Sequence, residues 1–192
     1  MPGRRRGEAA RRQGVRGIVL IGFMGAGKSS VGGALGQRLG WAFEDLDQRI
    51  ELREGRKVSD IFRDSGEAGF RRAEHAALQE LLEELKPGDE KIIALGGGAF
   101  VQKENARLLE ASAVPTVFLD GDAAELWRRC RQQAENTGTE RPLLGSLESF
   151  RTLYETRRPH YLKAAFRQDT VGKTVEEIAK ALVQALGLEG SS

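Results

Sequence analysis

Gly17-Ile18-Val19-Leu20-Ile21 runs directly into Gly22-Phe23-Met24-Gly25-Ala26-Gly27-Lys28-Ser29, and a helix-forming run follows from Ser30 to Leu39. The second stretch fills the pattern G-x-x-x-x-G-K-[ST], and a buried strand before it and a helix after it are the context in which that pattern cradles phosphate. Glycines at 22, 25 and 27 let the backbone turn tightly and aim its N–H groups at phosphate oxygens without interference from a Cβ. The following helix adds the positive end of its dipole. Lys28 is placed to reach β- and γ-phosphates, and the Ser29 hydroxyl to coordinate Mg²⁺. Gly25, Ala26, Gly27, Lys28, Ser29 and Ser30 are therefore the candidate nucleotide-binding residues, and the expected ligand is a nucleoside triphosphate.

Outward from this loop the chain alternates between short apolar runs and long amphipathic stretches. Strands are expected at 17–21 and 91–95, more weakly at 114–119, with short ones at Trp41 to Asp45 and Phe166 to Asp169. Helices are expected at 28–39, 47–54, 58–64, 67–85, 103–110, 122–133, 147–164 and 174–186. That alternation is the pattern of an α/β fold with a parallel sheet and helices on its faces. Ser59 is a candidate N-cap, and Lys86-Pro87-Gly88-Asp89 stops one helix and turns toward the next strand. The polar segment from about 132 to 145, with Gly138 and Pro142 and no periodicity, reads as a mobile lid. The domain reading is a basic, disordered tail over 1–15 and one phosphate-loop domain over 16–188.

With 192 residues, one domain is the default and a sizeable core is affordable. Residues 1–16 hold six arginines against Glu8, whereas the remainder is net −3, so the formal charge of +2 belongs to the tail. A solvated tail is the simpler reading than contact with nucleic acid or lipid. Residues 1–16 lack the apolar core of a secretory signal, and no run of 18 apolar residues occurs. Cys130 is the only cysteine, which excludes an internal disulfide and a cysteine-caged metal. The expectation is a cytoplasmic protein with no nucleic-acid or membrane partner.

Five further clusters bear on chemistry. Asp45 and Asp47 stand at a strand end, where open α/β sheets place ligand-binding groups. One of them would hold Mg²⁺ while the other accepts hydrogen bonds from an alcohol; the alternative is a helix N-cap with a solvated neighbour. Gly96-Gly97-Gly98 after a strand points to close approach of a ligand. Arg71 and Arg72 cannot both face inward; one offers a planar fork for a carboxylate, or simply pairs with nearby acids such as Glu67. Arg141, in Arg141-Pro142-Leu143, sits where a closing loop would bring charge to a transferring phosphoryl group. Arg157-Arg158-Pro159-His160-Tyr161 offers a second anion clamp, while His75 and His160 lack metal-ligand spacing and read as surface or packing residues.

Taken together, Gly22–Ser29, Phe43-Glu44-Asp45-Leu46-Asp47, Phe70-Arg71-Arg72-Ala73-Glu74, Gly96–Gly98, Arg141-Pro142-Leu143-Leu144 and Arg157 through Tyr161 resemble the shikimate kinase family over about residues 16 to 186. The resemblance implies a nucleoside-monophosphate-kinase-like fold, a five-stranded parallel sheet in the order 2-3-1-4-5, with a lid. It implies ATP and Mg²⁺ as cofactors and phosphorylation of the 3-hydroxyl of shikimate by a monomer. On it, Asp45 supports Mg²⁺, Asp47 binds the hydroxyls, and Arg71 and Arg157 bind the carboxylate. Gly96, Gly97 and Gly98 offer backbone to the ring, Lys28 and Arg141 stabilise the transferring phosphoryl group, and Arg129 stacks on adenine. A gluconate kinase would share the phosphate loop and the lid but has no need for the carboxylate-gripping set. A nucleic-acid-dependent NTPase fits poorly with a net-acidic folded part.

Overall fold

The computed structural model describes residues 14–137 and 145–189. The element order is β1 (Gly17–Ile21), α1 (Lys28–Leu39), β2 (Ala42–Asp45), α2 (Leu46–Glu54), α3 (Val58–Glu84) and β3 (Lys91–Ala94). A single 3₁₀ turn at Ala99–Val101 precedes α4 (Lys103–Ser112), β4 (Thr116–Asp120), α5 (Ala123–Thr137), α6 (Leu147–Tyr161), β5 (Phe166–Asp169) and α7 (Val175–Ala185). All strand pairings are parallel, in the order β2-β3-β1-β4-β5. This is the sheet order that the family resemblance implies.

Every residue of β1, β3 and β4 is buried, which is why those strands read as continuous apolar runs rather than alternating ones. Ile18, Val19, Leu20, Ile92, Ile93, Val117 and Phe118 form the middle of the core. Leu20 is in register with Ala94 on one side and Val117 on the other. The loops leaving β1, β2 and β3 therefore emerge together at the carboxyl edge of the sheet. Because β3 and β4 flank β1 on opposite sides, the crevice above β1 is the switch point at which such sheets bind ligands.

Several boundaries differ from those expected. The helices foreseen at 58–64 and 67–85 form one path, Val58–Glu84, broken at Gly66 (φ 66°, ψ −177°), where glycine takes a backbone conformation that other residues rarely adopt. Ser59 is not the cap: Lys57 stands at that position without a side-chain bond, and the Val58 N–H donates instead to Glu51 at 3.0 Å. Glu51 in the preceding helix thus does the work that a local serine was expected to do. Helix α5 continues to Thr137, so residues 132–137 of the expected lid are helical; residues 138–144, with Arg141, lie outside those described. Helix α6 ends at Tyr161 rather than 164, and a capping box of Ser146 and Ser149 starts it.

Candidate active site

The glycine-rich loop links the buried end of β1 to the first turn of α1. Gly27 caps that helix in the left-handed conformation (φ 84°), and the first turn carries no acidic residue and no side-chain cap. Its N–H groups and dipole are thus not neutralised by the protein's own carboxylates. Lys28 Nζ donates to the carbonyls of Gly22 (2.8 Å) and Phe23 (3.0 Å), so the ammonium lies over the loop.

Asp45 does two jobs at once. Its Oδ1 caps α2, accepting from the N–H groups of Asp47 (3.0 Å) and Gln48 (3.4 Å), while Oδ2 accepts from the Ser29 hydroxyl at 3.3 Å. The N-cap alternative raised by the sequence is correct for Asp45, and the cap is what aims its second oxygen at the phosphate loop. The other half of that alternative is met in part: Asp47 is exposed, as a solvated neighbour would be, but it stands among charged groups of the cleft. It is open to solvent at the cleft surface but ringed by protein, and burial pushes its carboxyl above the usual range. Asp45 adds to the rise, whereas Lys28 and Arg71 oppose it.

The three glycines after β3 each lie against a different candidate side chain. A Cβ on Gly96 would stand 3.0 Å from Asp47 Oδ1, and one on Gly98 would stand 2.7 Å from Arg71 Nη2. On Gly97 the nearest atom would be Arg157 Nη1, at 3.7 Å. Tyr161, fully buried, donates its hydroxyl to the Gly97 carbonyl; burial pushes that phenol up to about 12, against the pull of Arg157. Three side chains that are far apart in sequence therefore face one stretch of bare backbone.

Of the paired arginines, Arg71 faces inward and Arg72 is exposed. Arg71 Nη1 donates to both oxygens of Glu74 (3.0 and 2.9 Å), and Nη2 reaches the exposed Glu67 at 3.4 Å. The acid-pairing alternative is therefore met as well, yet Arg71 Nε is buried with no hydrogen-bond partner among the described residues. A buried guanidinium N–H without a partner is costly, and an anionic ligand would satisfy it. Arg157 lies over the Phe23 ring, 5.8 Å from its centroid. Its neighbour Arg158 is anchored to the buried Asp120 at 2.7 Å, which also accepts from Tyr154 (2.6 Å) and Arg167 (2.8 Å). Burial alone would raise the Asp120 carboxyl; the bonds from Arg158 and Tyr154 and the two guanidinium charges outweigh it and hold the group low.

Arg129 borders the cleft and pairs with Glu125 at 2.9 Å. The cleft encloses about 450 Å³ between the phosphate loop, Asp45, Asp47, Leu95, Gly96, Gly97 and Arg129. Concavities of about 520 and 590 Å³ lie over Asp120 and beneath Thr116, but neither contains the phosphate loop. Sequence reasoning assigned no role to Glu74, Asn105, Asp120 or Tyr161. For Glu74 the Phe-Arg-x-x-Glu spacing was the available signal, since i and i+3 share a helix face; Tyr161 closed the Arg157-x-Pro-x-Tyr motif, and Asn105 and Asp120 carried none.

A model of the family described as shikimate kinase matches residues 24–187. A shikimate kinase of Thermus thermophilus is 39% identical over 172 residues, covering 88% of this chain and 89% of that protein. One from Persephonella marina is 35% identical over 170 residues, covering 88% and 98%. Among solved structures, shikimate kinase from Acinetobacter baumannii in complex with shikimate superposes with a TM-score of 0.79 at 29% identity, covering 96% of this chain and 99% of that one.

Proposed function

This chain belongs to the shikimate kinase family, and from that premise we propose which of its residues perform each part of the reaction. The protein is an ATP-dependent transferase that phosphorylates the 3-hydroxyl of shikimate, a step of aromatic amino-acid biosynthesis, and it uses Mg²⁺. The observation that carries the assignment is the glycine triplet, whose members lie bare against Asp47, Arg157 and Arg71. A flat, carboxylated ring with hydroxyls fits between a carboxylate at one end and two guanidinium groups at the other.

Gly25, Ala26, Gly27, Ser29 and Ser30 bind the nucleotide phosphates through backbone and hydroxyl groups, and Lys28 turns from the loop carbonyls toward the transferring phosphate. The Ser29 hydroxyl and the Asp45 carboxylate suit Mg²⁺, which takes one or two protein oxygens and completes its shell with water and phosphate. Bound there, Mg²⁺ supplies charge neutralisation on the phosphates. Among the described residues no cluster of three His, Cys, Asp or Glu forms an all-protein metal cage, in keeping with that division. Asp47 accepts from the attacked hydroxyl, and in its ionised form it orients that oxygen toward phosphorus. Arg71, through Nε, and Arg157 hold the substrate carboxylate. Arg129 faces the adenine. Arg141 is assigned from its sequence pattern alone, as the charge that meets the phosphoryl group in the loose transition state.

We infer a cytoplasmic monomer without nucleic-acid or membrane partners, built as a basic tail over 1–15 and one kinase domain over 16–188, with a lid in the part of 132–145 that follows α5. All the proposed site residues come from one chain, and among the described residues no helix is long and apolar enough to cross a membrane.

A coupled assay of shikimate phosphorylation separates these roles. Arg71→Lys and Arg157→Lys keep charge but lose the fork, so KM for shikimate rises more than kcat falls. Asp47→Asn weakens shikimate binding and turnover while ATP affinity stays. Arg141→Ala acts mainly on kcat, by about 10²-fold or more. If carboxylate-free analogues react as well as shikimate, or Arg141→Ala changes only KM, the arginine assignments fail.

A further inference from the structure

Behind Arg71, on the side away from the phosphate loop, lies a buried polar chain that the reaction does not itself require. Asn105, on α4, is 1% exposed, as is Glu74 on α3. The Asn105 amide nitrogen donates to Glu74 Oε2 (3.4 Å) and to the Ala99 carbonyl (3.1 Å); its oxygen lies 2.8 Å from His75 Nδ1. With two acceptors facing the nitrogen, the amide can sit only one way round. Its oxygen must accept, and the His75 proton must be on Nδ1. Three contacts thus fix a side chain that ties α3 to the turn directly following the glycine triplet.

We propose that Asn105 is a positioning residue for substrate recognition: it holds the Glu74 carboxylate against Arg71 and ties it to the Ala99 carbonyl, so that the guanidinium keeps its place under Gly98. This rests on the reading that Arg71 receives the substrate carboxylate. Arg71 Nη1 is the only one of its three nitrogens held by a buried acid; Nη2 has only the exposed Glu67, and Nε has no partner among the described residues. The Phe70 ring lies under the guanidinium, its centroid 5.2 Å from Cζ, and Glu74 is the buried acid among the described residues that directs the fork in its own plane. Glu74 in turn has a single non-arginine donor among the described residues, Asn105 Nδ2. Without that donor, only Arg71 Nη1, itself the group to be positioned, restrains the carboxylate against rotation about its own stem. Arg71 is within van der Waals reach of the position a Gly98 Cβ would take, so small rotations move the fork relative to the backbone that cradles the ring.

The experiment compares Asn105→Ala, Glu74→Gln, the double variant and Arg71→Lys, reading the shikimate Kd by calorimetry, KM for both substrates, kcat and Tm. Asn105→Ala should raise the Kd and KM for shikimate about tenfold, the scale of one lost hydrogen bond to a charged group. It should leave KM for ATP within twofold and lower kcat less than KM rises. Its effect should largely vanish in the Glu74→Gln background, because both changes break the same chain. It should also vanish for an uncharged carboxamide analogue of shikimate. A loss that falls equally on ATP and shikimate, or one that adds in full to Glu74→Gln, would show Asn105 to be a packing residue and overturn the proposal. Should Asn105→Ala fail to fold, Asn105→Leu, which fills the space but removes the donor, is judged by the same split. If Arg71→Lys itself leaves shikimate binding unchanged, the carboxylate reading fails first; if Arg71→Lys weakens binding and Asn105→Ala does not, only the present inference fails.

Discussion

Replacing Gly98 by alanine tests the carboxylate clamp without touching a single charged group. Gly98 has φ −97° and ψ −14°, a conformation open to any residue, so the new methyl adds no backbone strain. What it adds is a clash. Its Cβ would lie 2.7 Å from Arg71 Nη2, 3.0 Å from Nη1 and 3.2 Å from Cζ, where such atoms rest at about 3.5–4 Å. The guanidinium must therefore retreat by roughly 1 Å. Arg71 cannot swing away freely, because Nη1 is tied to the buried Glu74. A displacement of that size at a substrate-positioning group costs about 10²-fold in kcat/KM for shikimate. The loss should fall on KM for shikimate, with KM for ATP unchanged and Tm within a few degrees. Gly97→Ala is the control: its Cβ meets no protein atom closer than 3.7 Å, so any loss it causes comes from contact with the substrate. A coupled assay with both substrates varied reads all of this. Unchanged kcat/KM for Gly98→Ala, or a loss confined to ATP, would refute the placement of the substrate carboxylate at Arg71.

Lys28→Ala should fold as the wild type does, since the ammonium bonds to carbonyls of its own loop, but lose at least about 10³-fold in turnover; comparable activity would remove the phosphate loop from the chemistry. Asp120 gives a pH prediction. Its carboxyl is held below the unfolded value, so its stabilisation is complete above that value and is lost as pH falls through the native one. Asp120→Asn should therefore be less stable in urea at pH 7 by about 1–2 kcal/mol, discounted for the partial exposure of Arg158 and Arg167. That gap should shrink toward pH 3; a gap of equal size at both pH values would refute the ion-pair account.

How much was legible beforehand depends on the range over which each feature is determined. The apolar runs at 17–21 and 91–94, the glycines of the phosphate loop and the break between 64 and 67 were readable because backbone allowance and burial leave local marks. Glycine is needed where φ is positive, and a strand buried on both faces is apolar throughout. Lys28, Ser29, Asp45 and Asp47 could be singled out for the same reason, since they stand at a strand end or helix start, but the division of roles between the two aspartates came only with the family resemblance. Strand order left no mark in the periodicity; it came with the family resemblance, because parallel crossovers can join strands in more than one order.

The residues by themselves left open which of two adjacent arginines turns inward; the resemblance pointed to Arg71, and the tertiary structure shows why, because the choice depends on the face α3 presents to α4 and the glycine turn. The tertiary structure also decided that Asp45 caps a helix with one oxygen while meeting Ser29 with the other. The same holds for Glu74 and Asn105, 31 residues apart, and for Tyr154 and Asp120, 34 apart. Each such pair is polar, buried and joined only once the helices have packed, and no local pattern in either segment names the partner. A buried polar group must find a partner or bear the full cost of leaving water. The composition of a segment shows that such a group exists; only the packed fold shows what satisfies it.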